Sequence, residues 1–237
     1  MEAIAINNLC YSYPHQKQIL DNLNLKIFPG ERVGLIGPNG AGKTTLFLTI
    51  CGILTPSRGE IILFDKPVIK GDFRPEIGFV FQNPDDQLFC PTVRDDIAFG
   101  PENMGLQPAE VDRLVEEALT VTGVTQLADR VPHQLSGGEK CMVAIASVLA
   151  MHPQLILYDE PSANLDLRAR RRLINFLQSS KETIVLSSHD LELILEVCDR
   201  VILLNQGKIL ADGIPSEIMS NKNLMEVNGL EVPPSLT

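Results

Sequence analysis

Apolar residues in this chain fall into short runs bounded by glycine and proline, and these runs alternate with helical patterns over much of its length. Val33-Gly34-Leu35-Ile36 is such a run, and Leu155-Ile156-Leu157-Tyr158, Thr183-Ile184-Val185-Leu186 and Val201-Ile202-Leu203-Leu204 are three more. Their nearly unbroken apolar character is that of strands covered on both faces in a parallel sheet. Ala3 to Leu9, Leu23 to Ile27, Gly59 to Phe64 and Ile77 to Phe81 also read as strands, with turns at Phe28-Pro29-Gly30 and Asp65-Lys66, so the early part is the more β-rich. From about Pro84 to Arg130 the pattern turns helical. Val111, Leu114, Val115, Ala118 and Leu119 follow i, i+3, i+4, i+7, i+8 spacing, with Pro108 near the start and Gly123 just beyond the end. Further helices are expected to begin near Asp166 and Asp190. The pattern predicts an α/β layer architecture with an inserted helical lobe. The last residues, Asn228 to Thr237, hold two prolines and little periodicity, so they are expected to be mobile or docked on a partner.

Composition narrows the class. The 237 residues can bury a sizeable core, and 44% apolar content with 17 Gly and 16 Pro is globular in character. The longest nearly apolar stretch, Cys141 to Met151 with Ser147 inside it, falls well short of the roughly 18 to 20 residues a membrane span needs, so no direct membrane insertion is expected. The N-terminus lacks the basic start and long apolar core of a secretion signal, and the expected compartment is the cytoplasm. Five cysteines lie far apart with no CxxC pair and are read as reduced thiols. A net charge of -10 argues against a nucleic-acid partner, since a phosphate-backbone footprint needs clustered Lys and Arg. The short basic run Arg168-Ala169-Arg170-Arg171-Arg172 is read as a solvated helix face.

The candidate chemistry lies in two segments. Gly37-Pro38-Asn39-Gly40-Ala41-Gly42-Lys43-Thr44 fits GxxxxGK[ST], after one strand and before the helix of Thr45 to Ile50. Glycines there let backbone N–H groups turn in around phosphate oxygens, and the helix N-terminus adds partial positive charge. Lys43 is expected at the β- and γ-phosphates and the Thr44 hydroxyl on Mg²⁺. A plain glycine turn would explain the glycines but not Lys43-Thr44. Downstream, the strand Leu155 to Tyr158 ends in Asp159-Glu160, where Asp159 would hold Mg²⁺ and Glu160 would polarise an attacking water. These segments predict a P-loop enzyme that binds a nucleoside triphosphate with Mg²⁺.

Leu135-Ser136-Gly137-Gly138-Glu139, upstream of the Asp159 strand, resembles the signature of ABC ATPases, although Ser136 and Glu139 also read as a capping box. The order of other elements is similar to that family: Tyr13 before the P-loop (with Tyr11 as a competing candidate), Gln82 after a strand, Ser162-Ala163-Asn164-Leu165-Asp166 after the acids, then His189. The resemblance implies a RecA-like parallel-sheet core with an N-terminal antiparallel β subdomain and a helical subdomain at about 84–150, together forming one ATPase domain over 1–227 with an extension at 228–237. It implies that ATP contacts Tyr13, the 37–45 segment including Thr45, Ser136, Gly137, Gly138 and Asp166. Glu160, His189 and Gln82 would be catalytic, and Thr44, Gln82 and Asp159 would face the metal.

The segment Phe81-Gln82-Asn83-Pro84-Asp85-Asp86-Gln87-Leu88-Phe89, with Pro91-Thr92-Val93, Ile97-Ala98-Phe99-Gly100-Pro101 and the Gly229 to Pro233 tail, resembles the energy-coupling factor branch, especially CbiO-type cobalt and nickel importers. That likeness implies a second ATPase subunit, identical or related, and integral membrane partners at the cytoplasmic face of the cell membrane. A vitamin importer of the branch is the alternative, and a non-transport ABC protein, a P-loop kinase and a nucleotide-gated scaffold are more distant rivals. Two positions depart from the family: Cys141, where a basic residue is usual, and Leu167, where proline is common.

Overall fold

The structure is a computed structural model that describes residues 1–163 and 165–237; Asn164, one of the positions singled out above, lies outside the described residues. In chain order the first elements are β1 (Ile4–Ser12), β2 (Gln18–Ile27), β3 (Arg32–Ile36), α1 (Lys43–Ile50), β4 (Arg58–Leu63), β5 (Lys66–Pro67) and β6 (Ile77–Val80). A helical stretch follows, with α2 (Val93–Asn103), α3 (Pro108–Thr122) and α4 (Gly137–Leu149). Then come β7 (Leu155–Asp159), α5 (Leu167–Ser179), β8 (Thr183–Ser187), α6 (Leu191–Val197), β9 (Arg200–Asn205) and β10 (Lys208–Gly213). Short helices α7 (Pro215–Met219) and α8 (Lys222–Val227) precede the tail. The chain divides into two compact units, Met1–Phe73 with Lys181–Thr237, and Arg74–Ser180.

In the first unit β2, β1, β4 and β5 pair antiparallel in that order. Leu20, Leu23, Leu25 and Ile27 of β2 are buried, the last three at alternate positions as expected for a strand with one wet face and Leu20 beyond a shift of register. β3 lies between β8 and β9 and is parallel to both, which explains why its run Val33 to Ile36 is apolar without alternation. β10 adds antiparallel to β9 through a turn in which Gln206 and Gly207 both have positive φ (47° and 73°). Two positive φ values in a two-residue loop match the twist of paired strands. The sequence reading missed β10 because its residues alternate between exposed and half-buried and carry little apolar signal. Arg200 ties this unit together: its guanidinium makes a bidentate pair with Asp212 (2.6 and 2.7 Å) and also donates to Glu31 and the Lys26 carbonyl.

The second unit pairs β6 parallel with β7 and carries the helices. α3 starts at Pro108 and stops at Gly123 (φ 65°), as the helical periodicity predicts. Its terminal carbonyls, of Thr122 and Gly123, accept from Arg172 at 2.6 and 2.7 Å, so one residue of the basic run closes a helix end. α4 is the buried helix of the unit, with every residue from Cys141 to Ala146 inside. Among the described residues no helix is long and apolar enough to cross a membrane.

The tail differs from expectation. Asn228 is buried and accepts from Asn205 (2.8 Å), and Ser235 donates to Glu192 on α6 through its N–H (2.9 Å) and its hydroxyl (2.8 Å). It therefore docks on its own chain. Polar groups spaced irregularly along the last ten residues made these bonds invisible to periodicity.

All five cysteines are free thiols. Burial pushes the Cys141 and Cys198 thiols up to about 12, which leaves almost no thiolate at neutral pH. Alkylation at pH 8, followed by peptide mass analysis, is expected to modify Cys141 and Cys198 only after denaturation. Labelling of either at the rate of the unfolded control would show that the core around it is open.

Candidate functional site

The first unit holds the phosphate-loop residues. β3 ends at Ile36, the loop runs from Gly37 to Gly42, and α1 starts at Lys43. Two glycines are required by the packing. A Cβ on Gly37 would collide with the Leu204 carbonyl oxygen of β9, and Gly42 (φ 106°) lies against Leu20 and Ile19 of β2. The loop is pinned from a third side, since Gly207 in the β9–β10 turn donates to the Ala41 carbonyl at 3.2 Å.

α1 begins without a side-chain cap and without an acidic residue in its first turn. α2, α4, α5, α6 and α8 all have a capping side chain. A bare helix start keeps its N–H groups and partial positive charge for an anion. Lys43 is buried, and its ammonium donates to the Gly37 and Pro38 carbonyls at 2.8 and 3.4 Å, folded back over the loop. Exposed His189 stands above it: Nε2 is 2.8 Å from Asn39 Oδ1 and 3.4 Å from Lys43 Nζ. This unit therefore presents three polar groups around the loop, Asn39, Lys43 and His189. Thr44 is exposed, whereas Thr45 is buried with its hydroxyl 3.4 Å from Tyr13 Oη. Of the two aromatic candidates, Tyr11 is buried in β1 and packs edge-on against the half-buried Tyr13, which leaves Tyr13 as the ring with a free approach.

The second unit holds the acids and the signature-like turn. Asp159 ends β7, and Glu160 follows, both buried. Glu160 has φ 49°, a left-handed conformation uncommon outside glycine that clusters at working sites. Gln82 is exposed just after β6. Ser136 is the N-cap of α4 in a complete capping box: its N–H and its hydroxyl both donate to Glu139 Oε2, at 2.8 and 2.7 Å, and its Oγ accepts from the Glu139 N–H at 3.4 Å. Those bonds, the hydroxyl first, hold the Glu139 carboxyl below its usual range. The hydroxyl accepts in the cap bond and donates to the carboxylate, so the cap itself leaves the hydroxyl proton able to turn to a ligand. Gly137 and Gly138 form the first turn of α4. Asp166 caps α5, its Oδ1 accepting from Ala169 N–H at 2.7 Å.

The family model for ABC transporters matches residues 20–163. This chain belongs to the ABC transporter ATPase family. An energy-coupling factor transporter ATP-binding protein, EcfA, of Methanothermobacter thermautotrophicus is 46% identical over 240 residues, covering 97% of this chain and 76% of that protein. The structure of cbiO1 from Clostridium perfringens, described as part of the ABC transporter complex cbiONQ, superposes with a TM-score of 0.83 at 35% identity, covering 98% of this chain and 96% of that one. A dimeric ATP-binding cassette in a post-hydrolysis state with ADP and Pi gives 0.78 at 27% identity, covering 90% of this chain and 98% of that one. The expected fold and the likeness to the energy-coupling factor branch are borne out, and the chain is an ATP-binding, ATP-hydrolysing subunit.

The donors proposed for Mg²⁺ are hard oxygens, the Thr44 hydroxyl, the Asp159 carboxylate and the Gln82 amide. Among the described residues no group of three or more His, Cys, Asp or Glu could hold a metal unaided. Oxygen donors of that kind suit Mg²⁺, which favours hard oxygen ligands. The residues that sequence reasoning missed are supporting ones, Gly207 under the loop, Gln87 beside α4 and Lys140 on it, described below. The Asn205-Gln206-Gly207 turn was the available signal for the first.

Lys43→Ala is expected to fold and to lose tight nucleotide binding, by about 10- to 100-fold, as for loss of a charged hydrogen bond. Titration of the folded variant with a fluorescent ATP analogue checks this, and near-normal affinity would show that the loop is not the phosphate cradle.

Proposed function

We propose that this chain powers an energy-coupling factor importer, most simply one for cobalt or nickel ions. The observation that carries the reading is its near end-to-end similarity to a subunit of the cbiONQ complex, supported by the EcfA relative. Residues 1–227 act as one ATPase domain, with the helical part at 84–150 and the tail at 228–237. Two copies, or this chain and a related ATPase, sandwich ATP and Mg²⁺. The 37–45 segment and Tyr13 hold the nucleotide, and Thr44, Asp159 and Gln82 face the metal. Glu160 polarises the attacking water, and His189 senses the γ-phosphate. Ser136, Gly137 and Gly138, with Asp166, face the nucleotide of the other subunit. The chain has no membrane-spanning helix among its described residues, so it is held at the cytoplasmic face through integral membrane partners.

Glu160→Gln keeps size and hydrogen bonding but removes the carboxylate. Turnover is expected to fall by about 10² to 10⁴-fold, with ATP still bound. The variant is expected to accumulate as an ATP-dependent dimer on size-exclusion chromatography, and unchanged turnover would sink the assignment of Glu160.

Cargo is tested by co-purifying the chain with its membrane partners and loading the complex into vesicles. ATP-driven uptake of radiolabelled cobalt or nickel is the expected result. Uptake of a labelled vitamin instead would move the chain to the other arm of the branch.

A further inference from the structure

The turn after Gln82 is stitched to α4 at two points. Lys140, Ala144 and Ser147 follow i, i+4, i+7 spacing and so share one face of the helix. At the near point Lys140 Nζ pairs with Asp85 Oδ1 at 2.6 Å, the lysine largely covered and the aspartate more than half exposed. At the far point the Gln87 amide Nε2 donates to the Ala144 carbonyl (2.8 Å) and to Ser147 Oγ (3.1 Å). The other end of the same amide, Oε1, accepts from the Phe81 N–H at 3.1 Å, beside Gln82. The turn itself is stiff. Asn83 Oδ1 accepts from Asp85 N–H, and the Gln87 and Leu88 N–H groups both donate to the Pro84 carbonyl.

Lys140 and Ser147 are about 10 Å apart along the helix axis at 1.5 Å per residue, and two anchors at that separation fix tilt as well as position. Ser136, the N-cap, is one turn before Lys140. On an adjacent face Cys141 Sγ donates to the carbonyl of Pro161, the residue after Glu160, at 3.4 Å. Within this unit α4 therefore touches the turn after Gln82 and the turn after Glu160, and carries Ser136 at its start.

We propose that Gln87, assisted by the Asp85–Lys140 pair, is a positioning residue that makes the Gln82 turn and the Ser136 end of α4 move as one body, so that displacement of the turn sets the placement of the signature. The amide carries most of the link, because the ion pair has one exposed partner and is screened by water. This rests on the reading that Ser136 meets the nucleotide of the other subunit.

Gln87→Glu is the first test, since a carboxylate keeps the length and the acceptor for Phe81 N–H but cannot donate to the Ala144 carbonyl. ATP turnover, nucleotide affinity and thermal unfolding are measured on the same sample. The expected result is a kcat lowered by about fivefold to tenfold with nucleotide affinity within about twofold of the unaltered protein. Charge exchange is the second test: Asp85→Lys and Lys140→Asp singly lower kcat, and the double variant recovers above both. Wild-type kcat in folded Gln87→Glu, or a double variant no better than the singles, overturns the proposal. Ser136→Arg is the control. If it abolishes turnover while Gln87→Glu leaves turnover intact, the link alone is wrong; if folded Ser136→Arg hydrolyses ATP normally, the underlying reading falls and the link falls with it.

Discussion

The carbonyl oxygen of Leu204 lies so close to Gly37 that no side chain fits between them, and the loop that follows depends on this approach. It puts the end of β3 hard against β9 before the chain turns into α1. Gly42 meets β2 in the same way, and the Gly207 N–H holds the Ala41 carbonyl from the β9–β10 turn. Two strands and a turn thus fix a loop that has few side chains of its own. Its backbone is rigid without being filled, and the uncapped start of α1 stays available for an anion.

Buried Lys43 illustrates the consequence. Its ammonium donates to the Gly37 and Pro38 carbonyls, which hold it over the loop. Charged phosphate oxygens would accept from it more strongly than those neutral carbonyls do. His189 and Asn39 sit at the same mouth and complete a polar rim in place before any nucleotide arrives.

In the second unit the candidate site residues also serve structure. Ser136 and Asp166 are both N-caps, and the Ser136 hydroxyl accepts from the Glu139 N–H while donating to the Glu139 carboxylate. The Glu139 carboxylate also accepts from the Ser136 N–H, a bond that would remain if the hydroxyl proton turned to a ligand. Glu160 lies in a left-handed conformation, which is held by its surroundings and not by its own preference. Buried α4 runs between these groups, and its polar face is engaged by Asp85 and Gln87.

Much of this was legible in the sequence, because strand and helix periods, turn residues and phosphate-loop spacing are local properties. The strands from Val33, Leu155, Thr183 and Val201 appear where unbroken apolar runs place them, and α3 spans Pro108 to Thr122, with Gly123 beyond it, as its stripe requires. The glycine-rich loop, the Asp159-Glu160 pair and the capping box at Ser136 were likewise readable from neighbours within a few positions. Tertiary structure alone decided the rest. β10 has too little apolar signal to declare itself and exists because β9 offers an edge to pair with. The tail is docked because Glu192, 43 residues earlier, presents two carboxylate oxygens to Ser235. Tyr11 is buried and Tyr13 half-buried, and the link between Gln87 and α4 spans 57 residues of chain. Hydrogen bonds between residues that far apart leave no period or spacing in the sequence, since they depend on where folding brings two groups of ordinary polarity together.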